Sequence, residues 1–219
     1  MKNVLLIGAS GGIGAALRSK LEDAGAQVTA LSRSSGLDFH APETIETVLS
    51  ELSTGFDGIL VASGALSVTT ARPEKSLSEL TSEELTAQFA VNTIGPAMVL
   101  RLAPRLLRRD AHCVFAAISA KVGSIGDNRL GGWYSYRASK AALNQIIRTG
   151  AIELARSHRQ SICVALHPGT VDTAFTQNYP AHKKTAPETS AANLLKVLNG
   201  LSPADTGQFY NWDGTQLPW

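Results

Sequence analysis

The sequence predicts an α/β domain: a doubly wound parallel sheet with helices on both faces, in three layers. Three observations carry the prediction. Short apolar runs alternate with stretches of helical periodicity from one end of the chain to the other. The first apolar run breaks into a glycine-rich turn that opens a helix. The chain has 219 residues, 44% of them hydrophobic, enough to bury a core of this size.

The elements follow in order. Residues 4–7 form a continuous apolar run, as a strand buried on both faces requires. Ile13, Leu17 and Leu21, spaced by four, give a helix over residues 13–24, closed by Gly25. A second strand covers residues 27–31, and a short third is expected near residues 36–39. Pro42 opens a helix to Leu52, and residues 58–62 make the next strand. A long helical stretch spans residues 82–109, where Pro96 and Pro104 are expected to kink or break it. Residues 111–118 read as a strand, 134–157 as a second long helix and 161–166 as a strand. An irregular stretch holds Pro168, Pro180 and Pro187. A helix over residues 188–198 and a strand near 208–210 complete the pattern. Such alternation implies right-handed crossovers. No linker, repeat or low-complexity tract interrupts it, so residues 1–219 are expected to form a single domain.

Composition excludes several classes of function. Twenty basic residues against 18 acidic give a net charge of +2, too even for a nucleic-acid or anionic-membrane partner. No stretch approaches the ~20 apolar residues of a membrane span. The N-terminal apolar run ends in glycines rather than a cleavage site, so it reads as a strand. Cys113 and Cys163 lie inside apolar runs and read as buried, reduced thiols, which fits a cytoplasmic protein. His112 and His167 read as scaffold residues, and no metal-ligand spacing is present.

The chemistry begins at Gly8-Ala9-Ser10-Gly11-Gly12-Ile13-Gly14. Missing side chains let backbone approach a pyrophosphate, while the opening helix offers unpaired N–H groups and the positive end of its dipole. Gly8, Ser10, Gly12, Ile13 and Gly14 are the candidate contacts. The second strand ends Ala30-Leu31-Ser32-Arg33-Ser34, without the carboxylate that would bond the ribose hydroxyl of NAD. Ser32 and Arg33 suit a 2′-phosphate instead, which favours NADP(H) over NAD(H). An ordinary solvated arginine is the competing reading. Asp38 is placed to bond the adenine amino group.

Tyr136 and Lys140 are four apart on a predicted helix and share one face. An ammonium one turn away favours the phenolate and is expected to lower the tyrosine's pKa from its ordinary ~10. Tyr134 has no lysine at that spacing.

Together with Asn92 in Val91-Asn92-Thr93 and the run Pro168-Gly169-Thr170-x2-Thr173, these motifs resemble the short-chain dehydrogenase/reductase family, in the family's order and over essentially the whole chain. The tail Asp213-Gly214-x3-Pro218-Trp219, with Gly123-Ser124-Ile125 and Gly131-Gly132-Trp133, is closer to the C-factor-like branch. The resemblance implies a Rossmann-type fold and hydride transfer between NADP(H) and a carbonyl or alcohol substrate. It implies that Tyr136 is the general acid or base and that Lys140 tunes it and binds ribose. Asn92 would kink the central helix and hold a relay water. Gly64, Pro168, Gly169, Thr170 and Val171 would border the cofactor, with Thr173 near its carboxamide or phosphates. A homodimer or homotetramer is the family's habit, and the two long helices carry the apolar residues for it.

Two departures stand out. The family's catalytic serine is the second of an Ile-Ser-Ser-x2-Gly run, whereas this chain reads Ile118-Ser119-Ala120-Lys121-Val122-Gly123. Ser119 is the expected substitute through an irregular strand end. Ser124 swinging in, or a site lacking the hydroxyl, are the alternatives. Where the family shows Asn-Asn-Ala-Gly, this chain has Val61-Ala62-Ser63-Gly64.

The stretch between Thr173 and Pro187 is where a substrate lid is expected. Trp133 and Phe175 are pocket walls or core, and Lys183-Lys184 a solvated loop or an anion site. Besides the oxidoreductase reading, a cofactor-binding signalling protein with vestigial chemistry stays open. A purely structural domain would leave every one of these motifs accidental.

Overall fold

The computed structural model of the chain describes residues 1–179 and 183–219. Among them, six strands form one parallel sheet in the order β2-β1-β3-β4-β5-β6. The strands are β1 (Asn3–Ile7), β2 (Gln27–Leu31), β3 (Gly58–Val61), β4 (Cys113–Ile118), β5 (Ser161–His167) and β6 (Phe209–Asn211). Helices α1 (Gly12–Asp23) and α6 (Pro187–Gly200) cover one face. The other carries α2 (Glu43–Ser50), α3 (Ser82–Phe89), α4 (Gly95–Leu106) and α5 (Tyr134–Ser157).

Alternate strand residues supply two separate cores. Leu5, Ile7, Ile59, Phe115 and Cys163 pack under α4 and α5, whereas Val4, Leu6, Leu60, Val114 and Val164 pack under α1 and α6. This two-sided burial explains why the strands read as continuous apolar runs. The chain order reverses between β1 and β3, and at such a switch point the C-terminal strand ends open a crevice.

Two sequence expectations are corrected. Residues 36–39 form no strand; after a short 3₁₀ turn (Arg33–Ser35), Leu37 and Phe39 plug the core instead. A Cβ on Gly95 would lie 2.3 Å from the Phe39 ring, so α4 and this segment meet where only glycine fits. The stretch expected over 82–109 stops at Leu106; it is distorted just before Pro96, as expected, but runs through Pro104 without a break. Residues Ala90–Ile94 form a π-helical turn linking α3 to α4. Pro96 has no N–H for the carbonyl of Asn92 four residues earlier, and the widened turn absorbs that loss.

Candidate active site

The glycine loop behaves as its spacing requires. Gly8 adopts φ +87°, and its N–H donates to Leu31 O at 2.9 Å, tying the loop to the end of β2. A Cβ on Gly14 would sit 2.0 Å from Gly8 O, so only glycine lets α1 start this close to the loop. No side chain caps α1 at Gly11, which leaves its opening N–H groups for an anion. A Cβ on Gly12 would meet Thr173 Cγ2 at 2.4 Å, which places Thr173 beside the glycine loop. Ile13 is partly buried against the α1 side of the sheet.

A groove of about 250 Å³ runs from this loop along the C-terminal edge. Gly8, Ser10, Ser32, Arg33, Asp38 and Gly64 all line it. Arg33 is exposed at the start of the 3₁₀ turn, beside a hydrogen-bonded Ser32–Ser34 pair. Asp38 Oδ1 accepts from His40 N–H at 2.9 Å, which orients its carboxylate at the groove. Ala65 and Val91 line the same groove and escaped the sequence reading, because neither residue type announces a contact. The fit for a dinucleotide is therefore good: a side-chain-free cradle, a helix N-terminus and a guanidinium share one groove.

Gly64 leads from this groove to Asn92 and Lys140. A Cβ there would lie 3.0 Å from Asn92 Oδ1 and 3.3 Å from Lys140 Nζ. Tyr136 and Lys140 are both buried on α5. Burial pushes the Tyr136 phenol well above the ordinary tyrosine value. It pulls the Lys140 ammonium down to about 7 while Nζ donates to Ile118 O at 2.9 Å. The expectation that Lys140 depresses the Tyr136 pKa is thus reversed in the free protein, where desolvation outweighs any charge that Lys140 can offer.

Asn92 lies in the π turn and is completely buried. Its side chain accepts from Ala65 N–H and donates to Ala65 O, both at 2.9 Å. It also donates to Gln88 and to Ser139 Oγ. Gln88 donates to Glu84 at 2.9 Å, and Glu84 accepts the Val68 and Thr69 amides. Glu84, Gln88 and Asn92, each four apart, thus fasten the 64–69 segment to α3. The i, i+4 spacing was available in the sequence, but nothing marked Glu84 as buried.

Ser119 directly follows the end of β4. Its hydroxyl is buried and donates to Asn144 Oδ1 on α5 at 2.7 Å. Ser124 Oγ is engaged as well, accepting from Asp127 N–H at 3.2 Å and facing Trp219 O. Ala120 holds the family's serine place, in extended backbone.

Beyond Gly64 a second pocket of about 290 Å³ is lined by Leu66, Ala71, Arg72, Phe175 and Tyr179 among others. The Phe175 ring lies 6.0 Å from Tyr136, and Trp133 lies 6.2 Å from Tyr136 and 5.4 Å from Tyr179. Trp133 and Phe175 are therefore both neighbours of Tyr136.

Pro168 and Gly169 follow β5. Pro168 O accepts from Ser190 Oγ, and the Trp212 ring would lie 3.0 Å from a Cβ on Gly169. Val171 is buried behind them, bridged to Thr185. Lys184 faces Asp172 at 3.4 Å, so it balances a carboxylate; Pro180 lies outside the described residues. Among the described residues no group of His, Cys, Asp and Glu is arranged to hold a metal ion. No described helix is long and apolar enough to cross a membrane.

Comparison with known proteins agrees with this geometry. The model of a family described as enoyl-(acyl carrier protein) reductase matches residues 12–212. A 1-hydroxy-2-glutathionyl-2-methyl-3-butene dehydrogenase of Rhodococcus sp. (strain AD45) is 30% identical over the full length of both chains. The C-signal protein of Myxococcus xanthus is 34% identical over 66% of this chain and 84% of its own. Among solved structures, a short-chain dehydrogenase/reductase of Burkholderia multivorans with bound NADP superposes with TM-score 0.81 at 25% identity. The superposition covers 100% of this chain and 99% of that one. With a matched family model over most of its length and a tyrosine–lysine–asparagine centre beside a glycine cradle, the chain is an oxidoreductase belonging to the short-chain dehydrogenase/reductase family.

Proposed function

We propose that the protein is an NADP(H)-dependent reductase that interconverts a small carbonyl compound and its alcohol, with Tyr136 transferring the proton. The observation that carries this reading is the approach of Asn92 and Lys140 to Gly64, which lines both the dinucleotide groove and the second pocket, with Tyr136 one helical turn before Lys140 and its ring 6.0 Å from Phe175 of that pocket. Bound NADPH supplies the hydride. The chain's part is positional and protonic. The glycine loop and the start of α1 hold the pyrophosphate, and Arg33 with Ser32 holds the 2′-phosphate. That preference for NADP is supported by the absence of a carboxylate at the end of β2 and by the NADP in the Burkholderia structure.

Tyr136 is protonated throughout the physiological range, because burial raises its pKa. It therefore stands ready to donate its proton as the carbonyl oxygen gains charge, which favours reduction. Lys140, near neutrality when alone, gains a proton more easily once ribose hydroxyls and phosphate negative charge lie beside it. With Ser119 and Ser124 engaged elsewhere, Tyr136 is the hydrogen-bond donor to the substrate oxygen. Pro168, Gly169, Val171 and Thr173 form the far border of the cofactor. Cytoplasmic residence fits two buried thiols, whose pKa values burial pushes up to about 11 and about 12. Exposed Ile94, at the end of the π turn before α4, and exposed Ile152 on α5 support a homodimer or homotetramer.

A signalling role is favoured only by the unfilled serine position and the likeness to the C-signal protein. The deciding experiment follows NADPH oxidation with a panel of aldehydes, ketones and quinones. Turnover by the wild type that Tyr136→Phe abolishes supports the reductase. Tight NADPH binding with no turnover across the panel favours signalling.

A further inference from the structure

Glu74 is a buried carboxylate that neither the glycine cradle nor the tyrosine–lysine pair uses; it is 2% exposed. It lies in the segment whose Ala71, Arg72 and Pro73 line the second pocket, and it reaches across to the start of α5. There its carboxylate accepts from Ser135 N–H at 3.3 Å and from Ser135 Oγ, one residue before Tyr136. Its backbone carbonyl accepts from Trp133 N–H at 2.5 Å. A carboxylate at a helix N-terminus is favoured by the dipole, so the attachment is a strong one.

The junction it holds is unusual. Trp133 has φ +54°, the one non-glycine residue with positive φ among the described residues. Left-handed backbone in a bulky residue persists only where surrounding contacts impose it. Here those contacts include the Glu74 carbonyl. The outcome is an indole edge-on to Tyr136 at 6.2 Å and packed on Tyr179 at 5.4 Å, while Phe175 lies 6.0 Å from Tyr136.

The polar side of the pocket points the same way. Arg72 is a pocket residue whose free guanidinium would recruit an anionic substrate. Its guanidinium instead makes a two-pronged ion pair with Glu79, both contacts at 2.9 Å, and Glu79 also accepts Lys75 N–H. The charge is already answered. The flat surfaces of this pocket of about 290 Å³ are Phe175 and Tyr179, which pack on Tyr136 and Trp133 respectively, among small and neutral residues such as Leu66, Ser67 and Asn178.

We propose that Glu74 is a positioning residue that holds Trp133 in an aromatic slot beside Tyr136, and that this slot selects carbonyl substrates carrying an aryl or other flat unsaturated group. The proposal rests on Tyr136 being the proton donor, and it names the substrate class of that same site. Flat groups gain edge-to-face and offset contacts with Trp133 and Phe175 that a puckered ring of equal size cannot make.

The test pairs benzaldehyde with cyclohexanecarbaldehyde, which share a skeleton and differ in flatness. The ratio of their kcat/KM values is compared between wild type and variants, so that intrinsic reactivity cancels. Trp133→Leu is expected to lower the benzaldehyde-to-cyclohexanecarbaldehyde ratio about 10-fold, the scale of lost aromatic contacts. Glu74→Ala is expected to do the same, whereas Glu74→Gln, which can still accept from Ser135 N–H, retains most of the ratio. Ser135→Ala, which keeps the backbone link, is a second and milder variant should Glu74→Ala not fold. Its expected loss is about 3-fold, the lower end for one hydrogen bond. Equal loss for both aldehydes, or an unchanged ratio in Trp133→Leu and the Glu74 and Ser135 variants, overturns the proposal. Binding of benzyl alcohol against cyclohexylmethanol, by calorimetry with and without NADPH, separates the slot from the chemistry. Tighter benzyl alcohol without any turnover overturns the Tyr136 reading and leaves the slot standing. Equal binding of the two alcohols overturns the slot whatever the turnover.

Discussion

Asn92 and Ala65 bond like two strands: the side-chain amide donates to the Ala65 carbonyl and accepts from its N–H, both at 2.9 Å. Ala65 and the adjacent Gly64 line both pockets, so this one side chain sets the wall between the groove and the second pocket. Asn92→Ala removes the pairing and leaves Gln88 and both Ala65 groups unsatisfied inside the protein. We expect a stability loss of about 3 kcal/mol or more in urea, since three groups are orphaned at about 1–3 kcal/mol each. NADPH should bind about 10-fold more weakly, the equivalent of one such bond. An unchanged urea midpoint would show that the ladder from Glu84 carries no weight.

Lys140 gives a pH-dependent prediction with a definite sign. Its pKa in the folded protein is lowered from 10.5 to about 7 by burial. Between those values the unfolded chain holds a proton that the folded chain has shed, so stability falls as pH drops from about 10.5 to about 7. Below that window the cost is constant, on the order of 5 kcal/mol at 1.36 kcal/mol per unit. Replacing the lysine by methionine avoids this cost, though it leaves the Ile118 carbonyl unpaired at about 1–3 kcal/mol. Lys140→Met should therefore be more stable than wild type at pH 7, should lose that advantage toward pH 10.5, and should be inactive. Denaturant titrations across this range check it. A variant that is less stable at pH 7 would contradict the desolvation argument.

Tyr136→Phe removes only the transferable proton. The ring keeps its contacts with Trp133 and Phe175, so NADPH affinity should change less than about 2-fold while kcat falls about 100- to 10,000-fold, the usual share of a general acid. Because burial raises the phenol's pKa, carbonyl reduction should show no loss from tyrosine ionisation as pH rises to 10. A falling limb below that pH, absent in a control for protein stability, would point to another acid.

Arg33 lies exposed on the groove wall with Ser32 beside it. Arg33→Asp should weaken NADPH about 10- to 100-fold, the scale of a charge-assisted phosphate contact, and should leave NADH equal or tighter. Calorimetric titration of both cofactors measures this directly. Parallel weakening of both would mean that Arg33 is not the phosphate ligand.

Much of this architecture was legible in the sequence because its signals are backbone requirements. Gly8 and Gly14 sit where a Cβ cannot, and the apolar strands are buried on both faces, so spacing and composition report them directly. Tyr136 and Lys140 were legible as a helical pair for the same geometric reason. The expected strand at 36–39 failed because Leu37 and Phe39 alternate as strand residues do, yet they are buried by packing onto α4 rather than by pairing. Glu74 and Glu84 were invisible because a carboxylate reads as surface until the fold supplies amides for it from distant segments. The Tyr136 pKa was misjudged by counting the neighbouring charge without the water that burial removes from both groups.

The serine position supplies the last prediction. Ser119 spends its hydroxyl hydrogen on Asn144, so its removal is a structural event. Ser119→Ala should cost about 1–3 kcal/mol of stability by orphaning a buried amide oxygen, and should change kcat less than about 3-fold. Ala120 lies in extended backbone at the end of β4, so a hydroxyl added there needs no change of conformation. Ala120→Ser would add a second donor to the substrate oxygen beside Tyr136, and kcat should rise about 2- to 12-fold, the value of one net hydrogen bond of about 0.5–1.5 kcal/mol. Steady-state kinetics on both variants tests this. If Ser119→Ala abolishes turnover while the fold is intact, Ser119 reaches the substrate after all. If Ala120→Ser leaves kcat unchanged, the site is built to work with one donor.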